Sequence, residues 1–488
     1  MRTLNHSDQQ HFLLCPFMAQ GHIIPMVDMA LLFAQRGVYV SLVTTPLNAS
    51  RVRPAIDLAS RCSGLPIRLV ELRFQSAEAR VPEGCESLDT LPSMDHMKGF
   101  LEATELLKQP LERFLSTDRD FPPPTCVVSD FLLHWTLDIA RGLGIPRLIF
   151  HGTCNYSLIV MESLRRHRSA GPEEETVTIP DVPCGLEMKR GQLPVPWSHM
   201  GLAEYEARMV KADADSDGVV INSFDEMESQ LFEAYKRLIG KKAYNVGPLS
   251  LCEGGVQSER GNKSSIDKDK CLSWLDSHEP GSVVYVCFGS IAWLGLQKAM
   301  EIGEAMKGSG RPVVWVIKPG ETESWVSQFG EGLDWLVIVG WAPQVAILSH
   351  KAVGGFVTHC GWNSTIEGLC AGVPMVTWPH FAEQFINERL VVDVLKIGVR
   401  VGIEEQVRGE KEMLVGREEI GVALERVMGG GEEMRRRVRE VGEMAKKAME
   451  VGGSSYVNMT RLIEDVKGYV KEGECGGEWF VKKSNAWV

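Results

Sequence analysis

Short apolar segments that alternate with helical ones constrain the fold of this chain more than any other feature. Residues 25–35 predict a helix with Pro25 in its first turn and Gly37 as its stop. Strands separated by helices form parallel sheets, because each parallel crossover needs a connecting helix. The first half therefore predicts a doubly wound parallel sheet, with strands at 11–15, 38–44, 126–129, 147–150 and 218–222.

The same alternation begins again after a polar stretch, 252–263, that is rich in Gly and Ser and predicts an exposed linker. A length of 488 residues also exceeds one ordinary core. We therefore predict two Rossmann-like domains. The second has strands at 283–288, 313–318, 336–339, 354–358 and 375–378, followed by a charged helical region at 417–450 and an amphipathic helix at 455–470. The predicted divisions are a first domain at 1–248, a linker at 249–265, a second domain at 266–454, a C-terminal helix at 455–472 and a tail at 473–488.

Composition excludes several classes of protein. The net charge of −12 disfavours nucleic acid and anionic membranes as partners. The 12 cysteines form no CxxC pair and no His/Cys metal spacing, which favours reduced thiols in a cytoplasmic protein. The polar N-terminus has no signal peptide, and no apolar run reaches the roughly 18 residues that a membrane span needs. We expect no membrane span or anchor.

Residues 341–384 carry the most chemical information. A strand at 354–358 ends at His359, a turn covers 360–363, and a helix is predicted from Ser364 to 371. The unpaired N–H groups and the dipole at a helix N-terminus bind phosphate. Because the Ser364 hydroxyl and the His359 ring can add donors there, a diphosphate site is predicted.

Other side chains of this stretch suit a nucleoside and a sugar. Trp341 offers a flat face to a pyrimidine, and aromatic–base stacking contributes roughly 1–3 kcal/mol. Gln344 and the backbone of Ala342 can read the edge of the base. The side chains suited to ribose and sugar hydroxyls are Glu367, for the ribose, and Glu383 with Gln384, for the sugar.

The 44 residues closely resemble the signature box of plant secondary-product glycosyltransferases, the family 1 enzymes that use UDP-sugars. Similar landmarks lie at 16–26, 220–224, 246–248, 274–276 and 284–290. The resemblance implies a GT-B fold with two domains facing a cleft and a final helix that returns to the first domain. It also implies the roles given above for the box residues. It adds Trp362 and Asn363 beside the phosphates and sugar, and Ser290 at the phosphates.

Two residues of the first domain suggest the catalysis. His22 lies in the loop after the first strand, and Asp130 ends the strand at 126–129, so both are expected at the same sheet edge. A histidine oriented by a carboxylate is a good general base, which contributes about 10²–10⁴ in rate. By resemblance these positions are the base and its partner, and UDP leaves with inversion to give a β-glycoside. His151, after another strand, is a rival base.

The sequence leaves several alternatives for the donor sugar and for the acceptor. In the resembled family the last box position is often Gln in glucosyltransferases, so Gln384 favours UDP-glucose, with galactose, xylose or glucuronic acid as alternatives. The acceptor is expected to be an apolar flavonoid, triterpenoid or steroidal sapogenin, and the enzyme a monomer. The candidate lining residues are Phe17, Met18, Met94, Phe131, Leu132, Trp135, Tyr156, Met200 and Leu202.

Two other functions compete with transfer. A dinucleotide oxidoreductase would share the fold class, but the chain has no G-x-G-x-x-G motif. A non-catalytic UDP-sugar-binding protein would have the box without needing His22 and Asp130. Measured turnover distinguishes a glycosyltransferase from a protein that only binds UDP-sugars.

A metal requirement is not expected, and no cofactor beyond the UDP-sugar co-substrate is implied. D-x-D spacings occur at 118/120, 213/215/217 and 267/269, but all lie in polar segments where carboxylates are solvated. We predict that an excess of EDTA leaves the initial rate of glycosyl transfer unchanged. A rate that falls with EDTA and returns with added Mg²⁺ or Mn²⁺ would contradict this.

Overall fold

We describe a computed structural model of the chain. It describes residues 9–167, 175–183, 185–252, 261–291, 294–406 and 415–475. Half of the predicted linker and most of the predicted tail lie outside these ranges, and the predicted domain boundaries stay predictions. The strands are β1 His11–Cys15, β2 Tyr39–Thr44, β3 Ile67–Glu71, β4 Cys126–Asp130, β5 Arg147–His151, β6 Thr176–Ile179, β7 Leu186–Lys189, β8 Gly218–Ile221, β9 Lys242–Asn245, β10 Val283–Cys287, β11 Val313–Ile317, β12 Trp335–Val339, β13 Val353–Thr358, β14 Met375–Thr377 and β15 Gly398–Arg400.

Two parallel sheets organise these strands, as predicted. The first has the order β3-β2-β1-β4-β5-β8-β9 and the second β12-β11-β10-β13-β14-β15. Every neighbouring pair in both is parallel, for example Cys15 beside Ser129 and Cys287 beside Thr358. The antiparallel pair β6 and β7 forms a separate hairpin.

The sequence prediction missed β3, β9, β15 and the β6–β7 hairpin. The first three are edge strands. An edge strand is covered less completely, so it tolerates charged residues such as Arg68, Glu71 and Lys242 and lacks the continuous apolar run of a central strand.

Helices cover both faces of each sheet. They are α1 Gln20–Gln35, α2 Pro46–Asp57, α3 Met97–Glu105, α4 Lys108–Thr117, α5 Thr136–Leu143, α6 Asn155–Arg166, α7 Ala203–Ala214, α8 Asp225–Ile239, α9 Lys268–Asp276, α10 Leu296–Ser309, α11 Glu321–Phe329, α12 Gln344–Leu348, α13 Trp362–Cys370, α14 Gln384–Arg389, α15 Arg417–Met428, α16 Glu432–Met449 and α17 Ser454–Cys475. Two apolar clusters pack against the first sheet, and a third spans the second sheet and reaches α6 and α8 of the first half.

Helix α1 begins at Gln20, five residues before the predicted start. His22 therefore lies in the first helical turn, and its predicted place in a loop is wrong. Pro25 is the sixth helical residue. Because Pro25 has no N–H, the Gly21 carbonyl four residues earlier receives no helical hydrogen bond from it. That carbonyl is left to accept from another donor.

The C-terminal region is divided where the sequence carries glycines. The predicted helical region at 417–450 consists of two helices, α15 and α16, separated by 429–431, where Gly431 has a φ of +64°. Helix α17 packs on the first sheet. Leu462 is fully buried in an apolar cluster that also contains Phe12 of β1, and the Tyr244 hydroxyl donates to Asp465 at 2.5 Å. Among the described helices, none combines the length and the hydropathy of a bilayer crossing.

Candidate active site

The carboxyl ends of the central strands create a crevice in each sheet. In the first sheet, β1 lies between β2 and β4, and in the second, β10 lies between β11 and β13. The chain leaves such neighbouring strands in opposite directions, and ligands of open α/β sheets bind where this happens. His22 and Asp130 lie at the first crevice, and Ser290 and His359 follow the central strands of the second.

His22 and Asp130 are in direct contact. Nδ1 of His22 lies 2.7 Å from Oδ2 of Asp130, and Oδ1 of Asp130 accepts from the Leu132 N–H at 3.0 Å. Asp130 is fully buried, whereas 28% of the His22 side chain is exposed. Burial lowers the pKa of His22, but the charge and hydrogen bond of Asp130, together with the charge of Glu383, leave the pKa above its ordinary value.

Aromatic rings surround this pair. Phe17 meets the His22 ring edge-on at 5.4 Å, and Phe131 lies 6.3 Å from it on another side. Phe131 in turn stacks on His151 at 5.3 Å. Burial lowers the pKa of His151, and its Nε2 has no hydrogen-bond partner within the described part of the chain. The rival base thus lacks the carboxylate partner that His22 has.

A glycine on each side encloses the His359 ring. A Cβ atom placed on Gly289 would lie 2.6 Å from this ring, and one on Gly361 would lie 2.3 Å from it. Burial, and then the charge of Lys318, lowers the pKa of His359 to about 4. The imidazole is therefore neutral at pH 7 and can offer one N–H.

Helix α13 begins two residues earlier than predicted. Gly361 is its N-cap residue, so the N–H groups of Trp362, Asn363 and Ser364 all belong to its first turn. A short turn at Cys360, with a φ of +63°, separates β13 from the cap. The anion-binding end of the helix is consequently directed at the second crevice.

The residues predicted for the nucleoside form one network. Nε2 of Gln344 donates to Glu367 at 2.8 Å and to the Ser364 hydroxyl at 3.0 Å. Its Oε1 accepts from the Tyr285 hydroxyl at 3.1 Å. The Ala342 carbonyl accepts from the Gln344 N–H at 2.8 Å.

Ser265 holds the backbone of Trp341. Its hydroxyl accepts from the Trp341 N–H at 2.9 Å, and its own N–H donates to the Trp341 carbonyl at 2.8 Å. Gly261 lies against the indole, since a Cβ there would approach the ring to 2.6 Å. Residues at the end of the predicted linker thus hold the backbone of Trp341 and pack against its ring, the predicted stacking surface.

Two residues of α13 bind the first half of the chain. Nε1 of Trp362 donates to the Asn222 carbonyl at 2.7 Å, and Nδ2 of Asn363 donates to the Gly21 carbonyl at 2.8 Å. The latter is the carbonyl that Pro25 leaves without a helical partner. Because the indole of Trp362 is buried and its N–H engaged, its backbone is the part that can serve a ligand.

Glu383 and Gln384 lie at the start of α14. The charge of Glu383 interacts with His22, and burial raises the pKa of Glu383 above its ordinary value. Oε1 of Gln384 accepts from the N–H groups of His380 and Phe381 at 2.8 and 3.1 Å, which leaves its NH₂ group to donate to a ligand.

The predicted acceptor residues are not all brought together. Phe17 and Phe131 flank His22, and Met18, Leu132, Trp135 and Leu202 are buried in the same cluster as Phe17. Tyr156, at the start of α6, belongs instead to the apolar cluster that spans the second sheet. Met200 and Met94 are 44% and 55% exposed.

Sequence reasoning missed Lys318 and His380. Lys318 directly follows β11 and lines the same pocket as Gly289, and burial lowers its pKa to about 8. Burial likewise lowers the pKa of His380 to about 3. A charged or polar residue immediately after an apolar strand of the second sheet was the available signal for Lys318.

Known proteins resemble this chain over almost its whole length. A family model described as UDP-glucoronosyl and UDP-glucosyl transferase matches residues 254–412. UDP-glycosyltransferase 73C12 of Barbarea vulgaris is 46% identical over 478 residues, which cover 93% of this chain and 96% of that protein. UDP-glycosyltransferase 73E1 of Stevia rebaudiana is 44% identical over 483 residues, with shares of 93% and 96%.

Solved structures also resemble this chain over almost its whole length. Glycyrrhiza uralensis UGT73P12, complexed with glycyrrhetinic acid 3-O-monoglucuronide, superposes with a TM-score of 0.86 and 34% identity over 96% of this chain and 97% of that one. Medicago truncatula UGT71G1, complexed with UDP-glucose, gives 0.77 and 26% over 95% and 99%. The protein is thus a glycosyltransferase of GT-B fold. It belongs to the plant family 1 UDP-glycosyltransferases and transfers sugar from a UDP-sugar.

The enclosure of His359 predicts the effect of Gly289→Ala. The new methyl group would displace the imidazole, so we expect UDP binding to weaken at least about fivefold. Gly289 also has a φ of +73°, and a left-handed alanine costs about 1–2 kcal/mol. Calorimetry with UDP measures the first effect and thermal unfolding the second.

Gly310→Ala is the matched control. Gly310 has a φ of +63°, but nothing lies within 4 Å of a Cβ placed there. It should lose similar stability and keep its affinity for UDP. Equal UDP affinities in the two variants would show that the close approach to His359 does not matter for binding.

Proposed function

We propose that this enzyme transfers glucose from UDP-glucose to a hydroxyl of an apolar acceptor, with inversion, so that the α-linked donor gives a β-O-glycoside. The observation that carries the proposal is the 2.7 Å contact between His22 and Asp130 at the crevice that faces the signature box. The phenyl rings of Phe17 and Phe131 beside His22 support an apolar acceptor.

His22 is proposed as the general base, because Nδ1 is engaged by Asp130 and Nε2 is left for the acceptor hydroxyl. As the hydroxyl oxygen bonds to the anomeric carbon, its proton passes to Nε2. The bond from that carbon to the diphosphate oxygen breaks on the opposite face, and its electron pair leaves with UDP. Asp130 stabilises the imidazolium that forms.

The box residues are proposed to bind the donor in the roles that the resemblance implies. The neutral His359, Ser290 and the first turn of α13 would hold the diphosphate. Trp341, with Gln344 and the Ala342 backbone at the base edge, would hold the uracil, and Glu367, hydrogen-bonded to Gln344, would hold the ribose. Asn363, Glu383 and Gln384 would bind the sugar, and by the resemblance a glutamine at the last box position, Gln384, favours glucose.

The acceptor is proposed to be a triterpenoid, steroidal sapogenin or flavonoid. Support for the first comes from Glycyrrhiza uralensis UGT73P12, which was solved with glycyrrhetinic acid 3-O-monoglucuronide. Support for the last comes from Arabidopsis thaliana UGT89C1, solved with quercetin. Action as a metal-independent cytoplasmic monomer stays a prediction.

A panel of substrates tests this function. Purified enzyme is incubated with UDP-glucose, UDP-galactose, UDP-xylose or UDP-glucuronic acid and with glycyrrhetinic acid, diosgenin or quercetin, and products are read by mass. We expect a gain of one hexose from UDP-glucose. Faster transfer from another donor would contradict the assignment made from Gln384.

His22→Ala removes the proposed base. We expect kcat to fall about 10²–10⁴-fold, while the affinity for UDP stays within about twofold because the donor contacts lie in the other domain. His151→Ala is the control, and it should retain most of the activity. If His151→Ala were the more damaged variant, the base would be His151.

Asp130→Asn tests the electrostatic effect of Asp130 on the pKa of His22. His22 accepts a proton only when neutral, so kcat/KM declines as pH falls through its pKa. Asp130 raises that pKa, and its neutral replacement should lower it. We therefore expect a lower maximal rate, and an acid limb of the kcat/KM profile that moves to lower pH. An unmoved limb would mean that the limb reports another group.

A further inference from the structure

Asn387, three residues beyond the signature box, contacts both halves of the molecule. Its side chain is fully buried on α14. Oδ1 accepts from the Ser157 hydroxyl at 2.8 Å and lies 3.4 Å from the Cys154 thiol. Nδ2 donates to the Cys360 carbonyl at 2.9 Å. One amide thus joins the start of α6 in the first half to the turn after β13 in the second.

The Cys360 end of this connection shapes the proposed phosphate site. Cys360 has a φ of +63°, a left-handed conformation that costs a non-glycine residue about 1–2 kcal/mol. It lies between His359 and Gly361, the N-cap of α13. Its carbonyl needs a partner because the residue is buried. Asn387 supplies that partner and so favours the turn that directs the first N–H groups of α13 at the crevice.

At the other end of the connection, hydrogen bonds to Glu228 hold the start of α6, and Ser157 with it, in place. The carboxylate of Glu228, from α8, accepts from the N–H groups of Asn155 and Tyr156 at 3.1 and 2.8 Å. The Ser223 hydroxyl also donates to it. These bonds anchor the first turn of α6, so the Ser157 hydroxyl meets Asn387 from a rigid position.

Asn387 also reaches the residues proposed to hold the sugar. Its backbone N–H donates to the carbonyl of Glu383 at 2.9 Å, and the charge of the Glu383 side chain acts on His22. Asn387 therefore contacts the turn after β13, the backbone of Glu383 and the acceptor domain at once, although it does not itself lie among the reacting groups.

We propose that Asn387 is a positioning residue that couples the placement of the acceptor domain, through Ser157, to the conformation of the turn 359–363 and hence to binding of the UDP diphosphate. The inference rests on the donor role proposed for that turn. Because coupling is reciprocal, ordering of the turn by UDP also strengthens the contact between the domains.

Three variants of the full chain test this coupling. Ser157→Ala removes the hydroxyl bond from the first domain and leaves the Cys154 thiol in place, Ser157→Thr restores a hydroxyl, and Asn387→Ala removes both ends. Ser163→Ala is the matched control. It is a buried serine on the same helix, and its Oγ has no hydrogen-bond partner among the residues that the structure describes.

The readouts are the affinity for UDP by calorimetry and amide hydrogen exchange in the segment 355–366, with and without UDP. Loss of one buried hydrogen bond predicts UDP binding about three- to tenfold weaker in Ser157→Ala. Exchange in 355–366 should rise although the substitution lies in the other domain. Ser157→Thr should recover part of both effects, and Ser163→Ala should match the wild type.

The outcomes separate this inference from the proposed function. If UDP binds the wild type but does not protect 355–366, the proposed donor site is wrong. If UDP protects the segment and Ser157→Ala behaves as Ser163→Ala does, the coupling is overturned. Should Asn387→Ala fail to fold, the Ser157 variants still test the coupling, because the substitution lies in the first domain and the measured exchange in the second.

Discussion

The parallel direction of the strands is the constraint on which the rest of this structure depends. Parallel strands all end at one edge, so residues far apart in sequence arrive side by side. Asp130 comes to His22 in this way, and His359 to Gly289. Each sheet carries part of the proposed site, and contacts such as that of Asn363 with the Gly21 carbonyl bring the two parts together.

Backbone details convert this arrangement into specific contacts. Pro25 leaves the Gly21 carbonyl without a helical donor, and Asn363 of the other domain supplies one. Cys360 takes a left-handed conformation, and Asn387 satisfies its carbonyl. In both places a departure from regular structure in one element is compensated by an amide from elsewhere, so the departure and the domain contact stabilise each other.

Burial sets the charge states at the site. Burial lowers the pKa of His359 and leaves its imidazole neutral, whereas His22, which lies beside Asp130, has a raised pKa. Two imidazoles of one cleft are thus given different protonation behaviour by their surroundings. The neutral one suits donation of an N–H to a diphosphate, and the other suits acceptance of a proton.

The sequence alone determined the two parallel sheets, the glycosyltransferase family and the residue types of the donor box, because apolar periodicity and a dense local motif are properties of contiguous residues. It failed for the edge strands β3, β9 and β15, whose partial exposure weakens that periodicity, and for the start of α1. Tertiary structure decided the contacts of Asn387, Lys318 and Gly289, since each depends on which distant backbone lies nearby. No spacing along the chain encodes that proximity, which comes from the packing of one domain against the other.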